Sequence, residues 1–368
     1  MAEKTCWVAL DVLKNFMIDV FVKVGVPEED ARICAEVLTE SDKRGIDSHG
    51  ISRFKHIYID RIKAGIINPI TSVEIIRQGP TTAVIDGNNG MGQVIGMKSM
   101  HMAIDKARQY GMGMVVVRNS NHFGIAGFYS LMAIKQGMIG ITGTNARPSV
   151  APTFGVENML GTNPLTVGVP TDEEFPFLLD CASSITQRGK IEVLARVGQE
   201  IPKGLVIDRN GNSTTDGEQV LRDLIDGKAA LVPLGGTGEE YGGYKGYGYA
   251  TFVEILSSAL QGGAFLKALS GFKDGKKTTY KLGHFFIAID ISCFSELDEF
   301  KRTAGNILRQ LRSSQKMPGH DRIYTAGEKE YEAEKERKEK GVLLDEGVQK
   351  QITALRTEFN LHDYEFPF

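Results

Sequence analysis

Two histidine-centred segments hold the side chains of this chain best suited to acid–base chemistry on a small anion: Ser48-His49-Gly50-Ile51-Ser52-Arg53 and Asn119-Ser120-Asn121-His122-Phe123-Gly124. With Ser48 read as a helix N-cap, His49 and Arg53 stand four residues apart on one face, beside unpaired N–H groups at the positive end of the dipole. An arginine offers a planar fork to a carboxylate, so this segment reads as an anion site. The plain alternative is a cap followed by an arginine paired with a surface acid. His122 precedes an apolar helical period that Gly137 would stop, with Ser120 or Asn121 as cap. A helix N-terminus disfavours the imidazolium, which leaves a neutral ring able to accept a proton from an alcohol. In reverse, the protonated ring donates to a carbonyl oxygen. A histidine that only hydrogen-bonds its own loop is the alternative.

Neither G-x-G-x-x-G nor G-x-x-x-x-G-K-[ST] occurs, so the sequence carries no Rossmann or P-loop fingerprint. Residues 235–248 are instead dense in glycine around Lys245 and lead into an apolar helix. Such a loop lets backbone N–H groups approach phosphate while the lysine neutralises charge, although a plain surface loop has the same composition. The strand read over 175–180 ends in Asp180-Cys181-Ala182. A carboxylate there can accept from ribose hydroxyls, or simply cap a turn, and Arg188 or Lys190 can attract a phosphate.

Alternating helices and strands must position these groups. Pro27-Glu28-Glu29 opens a helix whose Ala31, Cys34, Val37 and Leu38 share one face, and Gly45 stops it. A second helix is read from Ser48, with Ile51, Phe54, Ile57, Tyr58 and Ile62 on one side, ending near Gly65. Strands are read over 72–76, 82–85, 112–117, 138–142 and 282–291, and helices over 93–110, 123–136 and 296–313. Residues 328–340 read as a solvated helix with Glu-to-Lys pairs at i,i+4. The pattern is α/β.

A chain of 368 residues with 42% hydrophobic and 24% charged residues has the composition of a globular protein with a large core. A net charge of −3 argues against nucleic acid or an anionic membrane as the main partner, and no apolar run is long enough to span a bilayer. Cys6, Cys34, Cys181 and Cys293 form no C-x-x-C pair, so no metal site or disulfide framework is expected, and a cytoplasmic setting is.

Taken in order, Ser48-His49-Gly50 with Arg53, Asn121-His122-Phe123-Gly124, Gly161-Thr162-Asn163-Pro164, Asp180-Cys181-Ala182, Gly189-Lys190, Lys245-Gly246-Tyr247-Gly248 and Pro318-Gly319 span most of the chain. This set resembles the malate/L-lactate dehydrogenase family that is unrelated to the Rossmann-type enzymes and also includes ureidoglycolate, sulfolactate and diketogulonate dehydrogenases. The resemblance implies a non-Rossmann, NAD(P)-binding mixed β-sheet flanked by helices. It also implies a helical lobe from residues 1–72 and 292–368 around a core of 73–291, and a homodimer with active sites near the subunit interface. By the same resemblance His122 is the proton acceptor and His49 a proton donor in some members, which leaves open which one acts here. Ser48 and Arg53 bind substrate, and Asp180, Cys181, Ala182, Thr186, Lys245 and Gly246 contact the cofactor.

The expected function is hydride transfer between NAD, with NADP possible, and a small 2-hydroxy acid, malate/oxaloacetate first. Another 2-hydroxy acid (ureidoglycolate, sulfolactate or lactate) or a non-catalytic binding protein of the same fold is the alternative. Two positions depart from the family pattern: the Pro318-Gly319 pair is followed by His320-Asp321 where the family often has an acid soon after it, so no cofactor role is expected of those residues, and Ala146 stands where some relatives carry a side-chain donor.

Overall fold

The computed structural model describes residues 5–196 and 198–368, so residues 1–4 of the expected helical lobe lie outside it. Strand β1 (Cys6–Val8) leads into helices α1 (Leu10–Lys23) and α2 (Glu28–Lys43). Three acids, Glu28, Glu29 and Asp30, fill the first turn of α2 and Lys43 its last, matching the dipole at both ends. Its Ala31, Cys34, Ala35 and Leu38 are buried with Phe16, Val20 and Phe21 of α1. A helical run then follows as α3 (Ile51–Arg53), a π-wound turn (Phe54–Ile59) and α4 (Asp60–Lys63).

The central sheet has seven strands: β2 (Glu74–Gln78), β3 (Thr82–Asp86), β4 (Met112–Ser120), β5 (Met138–Thr144), β6 (Leu165–Val169), β7 (Phe177–Cys181) and, much later, β12 (Leu282–Asp290). Their spatial order is β2-β3-β4-β12-β5-β6-β7. Only β3 and β4 run parallel; the other neighbouring pairs are antiparallel. This mixed arrangement is not a doubly wound parallel sheet, which accounts for the missing glycine fingerprint. Strand alternation sends Val115 and Val117 of β4 to one face, with helices α5 (Gly92–Tyr110) and α6 (Gly127–Ile134), and Val116 to the other.

Between β7 and β12 lie α7 (Arg188–Arg196), β8 (Val206–Asp208), α8 (Gly217–Asp226), β9 (Ala229–Leu231), α9 (Gly243–Leu256) and the short hairpin β10 (Phe272–Lys273) and β11 (Lys276–Lys277). Ile191, Val206, Val220, Leu231 and Ala250 form their small core. Val253 of α9 packs with Val116 and Phe285 on the second face of the central sheet. After β12 come α10 (Leu297–Ser313), α11 (Glu328–Lys340), β13 (Val342–Leu344) and α12 (Glu346–Glu358). Strand β13 pairs antiparallel with β1, and Ile352 and Leu355 of α12 join the core of α1 and α2. The two ends of the chain thus share one packing unit.

Two helix starts fall elsewhere than the sequence suggests. Ser48 is not the N-cap: helix α3 begins at Ile51, and the Ile51 N–H is capped at 2.8 Å by the Asp42 carboxylate from the neighbouring helix. His122 does not open a helix either, because α6 begins at Gly127. Gly124 has φ of +83°, which breaks the helical run, and Asn121 holds the loop by donating to the Gly90 carbonyl at 3.0 Å.

Candidate active site

His122 sits just past the C-terminal end of β4, in the loop before α6. Its Nδ1 lies 2.6 Å from the Tyr58 hydroxyl and 3.3 Å from the Gly124 N–H. Its ring faces that of His49 at 5.8 Å between centroids and 20° between planes. The two segments far apart in sequence therefore meet. Ser48 Oγ lies 2.8 Å from His49 Nδ1, and Arg53 Nε donates to the Ser48 carbonyl at 2.6 Å. These contacts fix three of the four predicted groups against one another, with His122 stacked on the third side.

Both rings are neutral bases at neutral pH, for a reason the sequence did not show. Burial pushes His49 down to about 4, aided by the Arg53 charge. Burial likewise holds His122 well below the usual histidine range, with His49, Arg61 and Arg53 adding to it. Desolvation penalises the imidazolium, so the helix dipole is not needed to keep the proton off. His122 lacks a helix start behind it but reaches the same state.

The support beneath this wall comes from residues without chemistry of their own. Asp42 is buried, and a Cβ at Gly50 would overlap its carboxylate, so the His49–Arg53 segment can lie on α2 only with glycine there. Tyr58 is fully buried and meets His122 edge to face with centroids 5.7 Å apart. It was legible only as one member of an apolar helix face. Tyr58 lies within the π-wound turn Phe54–Ile59 that follows Arg53, a winding frequent at functional sites. No spacing rule would have found it.

A cleft of about 480 Å³ opens beside His49, walled by Thr162, Pro164, Cys181, Ala182, Thr186, Gln187 and Lys190. Among the described residues, the buried Thr186 hydroxyl has no hydrogen-bond partner. An orphaned hydroxyl lining the same cleft as Lys190 and the end of β7 fits the oxygen-rich ribose and phosphate groups of a nicotinamide dinucleotide. Asp180 also borders the cleft, but its carboxylate accepts from the Gly127 N–H at 2.8 Å and the Thr166 hydroxyl at 2.7 Å. Its first task is thus to tie α6 to β6, the turn-capping alternative. Lys245 and Gly246 lie on α9 behind Leu234, which lines the cleft; a Cβ at Gly246 would overlap the Leu234 carbonyl. Lys245 itself is not on the cleft wall and stands 5.7 Å from the Tyr244 ring. The Ala146 N–H donates to Asn163 Oδ1 at 3.2 Å, so even the backbone at that position is engaged. Among the described residues no cluster of His, Cys, Asp and Glu could hold a metal ion, and no helix is long and apolar enough to cross a membrane.

The sequence profile described as malate/L-lactate dehydrogenase matches residues 8–353. Malate dehydrogenase of Pyrococcus horikoshii is 48% identical over 319 residues, covering 87% of this chain and 86% of that protein. L-sulfolactate dehydrogenase of Methanocaldococcus jannaschii is 40% identical over 353 residues, covering 95% and 97%. Among solved structures, malate dehydrogenase from Entamoeba histolytica superimposes with a TM-score of 0.95 at 50% identity, over 99% of this chain and 100% of that one.

Proposed function

We propose that this chain, which belongs to the malate/L-lactate dehydrogenase family and is a dehydrogenase of 2-hydroxy acids that takes a nicotinamide cofactor, interconverts malate and oxaloacetate with NAD. The observation that carries the proposal is the convergence of His122, His49 and Arg53 beside a cleft of about 480 Å³. The choice of malate rests on the relatives named for it, at 48% identity.

In this reading Arg53 holds the C1 carboxylate. Its Nε is tied to the Ser48 carbonyl, which aims the two terminal nitrogens as a fork. A neutral His122 takes the hydroxyl proton. That role requires the tautomer whose hydrogen sits on Nδ1 and is donated to the Tyr58 hydroxyl, which leaves the Nε2 lone pair for the substrate. The stacked His49, held at Nδ1 by the Ser48 hydroxyl, orients the substrate hydroxyl or shares its proton. The bound nicotinamide supplies the hydride acceptor. Thr186, Cys181, Ala182 and Lys190 would hold its near part, with Lys245, Gly246 and the Asp180 backbone behind them. We read the protein as a homodimer, in keeping with the exposed Tyr244, Tyr249, Phe252 and Ile255 of α9, and as cytoplasmic, in keeping with four unpaired cysteines.

The deciding experiment follows NADH and NADPH consumption with oxaloacetate, pyruvate, sulfopyruvate and the keto form of ureidoglycolate. Fastest turnover with oxaloacetate and NADH is expected. A higher kcat/KM for sulfopyruvate would replace malate with sulfolactate, the reading favoured by the relative at 40% identity over nearly the whole chain. Turnover of none of them with either cofactor would mean a binding protein.

A further inference from the structure

We propose that Arg188 reads the second acidic group of the substrate, with Glu192 holding it beside Arg53 so that the pocket accepts a dicarboxylate end to end. The proposal rests on the reading of Arg53 as the C1 clamp. The first turn of α7 is laid against the wall that carries Ser48 and Arg53. Gln187 Nε2 donates to Ser48 Oγ at 3.3 Å, and a Cβ at Gly189 would stand 2.9 Å from Arg53 Nη2. A side chain at that position would push the Arg53 guanidinium aside.

Arg188 Nε donates to one oxygen of Glu192 at 2.8 Å, and the other oxygen of the same carboxylate lies 4.0 Å from Arg53 Nη1. One carboxylate therefore sits between two guanidiniums, each with further N–H groups to offer. The three side chains are about a third exposed, at 35%, 32% and 27%, so each keeps surface that a ligand can reach. A substrate with only its C1 carboxylate is matched by Arg53 alone. A second acidic group takes up the N–H groups that Arg188 does not spend on Glu192.

An i,i+4 pair of this kind on a helix surface would be worth only a few tenths of a kcal/mol and would carry no specificity. An arginine serving a 2′-phosphate of NADP would show itself in cofactor preference instead. The test is steady-state kinetics of Arg188→Gln and Arg188→Lys with oxaloacetate and pyruvate, each with NADH and NADPH, after matching melting curves. The ratio of kcat/KM for oxaloacetate over pyruvate is expected to fall by about 10- to 100-fold in Arg188→Gln, mainly through the KM for oxaloacetate. Partial recovery is expected in Arg188→Lys. An unchanged ratio, or a change confined to the NADPH-to-NADH preference, overturns the proposal. If the native enzyme reduces neither acid, the function proposed above falls and this proposal with it. An active enzyme whose ratio ignores Arg188 removes this proposal alone.

Discussion

Replacing Tyr58 by phenylalanine removes a single oxygen at the centre of the site and little else. The ring remains to pack edge to face on His122 and 6.2 Å from Phe21, so the core is kept. What is lost is the 2.6 Å partner of His122 Nδ1; the Gly124 N–H at 3.3 Å cannot replace it when Nδ1 carries a proton. A hydrogen bond of this kind contributes about 1 kcal/mol net, and a buried partner left unpaired costs about 1–3 kcal/mol. If that loss falls on the step that forms the imidazolium, malate oxidation should slow by about 5- to 150-fold in kcat. The KM should hardly move, because Arg53 still holds the carboxylate. The pH profile fixes the cause. Tyr58 stabilises the charged ring, so its loss lowers the His122 pKa further below the usual range, and the acid limb of kcat moves to lower pH while the plateau drops. Kinetics across pH together with a melting curve make the assay. A normal plateau with an unmoved acid limb would refute the role given to Tyr58, and a fall confined to KM would do the same.

The Asp42 carboxyl is pushed up to about 8 by burial, against an ordinary value of 3.8. The folded protein therefore keeps a proton that the unfolded chain releases between those values, and stability drains away as pH rises through that window, on the order of 1.4 kcal/mol per pH unit. Asp42→Asn has no such proton, so its melting temperature relative to the native protein should climb between about pH 5 and pH 8; a constant difference would show that Asp42 ionises normally. Thr186→Val should leave stability unchanged or slightly higher, since the buried hydroxyl has no protein partner, while raising the KM for NADH by about 5- to 10-fold. Unchanged cofactor binding, measured by titration of NADH fluorescence, would remove Thr186 from the site.

How much of this was legible in the sequence depended on whether the signal was local. The α2 helix, the β4 and β12 strands and the α5 helix followed from periodicity, with ends within a few residues of those observed. The histidine segments were recognisable as chemistry, but the local reasons given for them were displaced. Ser48 turns to His49 rather than capping, and His122 owes its low pKa to burial among charged neighbours rather than to a helix start. Tyr58 lies 64 residues from His122 in the chain and reaches it through a π-wound turn. Nothing in an apolar helical stripe distinguishes a tyrosine that touches a base from one that only fills a core. Asp42 is similar: its carboxylate serves a helix that begins nine residues later. Asp180 offered two readings at equal weight, and the Gly127 and Thr166 contacts favour the cap. Such contacts depend on how α2, β4 and β7 are brought together, which no short window of sequence encodes.

The central claim is that His122 moves the proton while His49 and Arg53 form the wall that receives the acid. The most direct test measures kcat for oxaloacetate reduction and malate oxidation in His122→Ala and His49→Ala, at saturating cofactor and with folding verified by melting. His122→Ala should lose about 10²- to 10⁴-fold in both directions, and His49→Ala distinctly less, with a larger change in KM. Near-native turnover in His122→Ala alongside collapse in His49→Ala would contradict the account and make His49 the base.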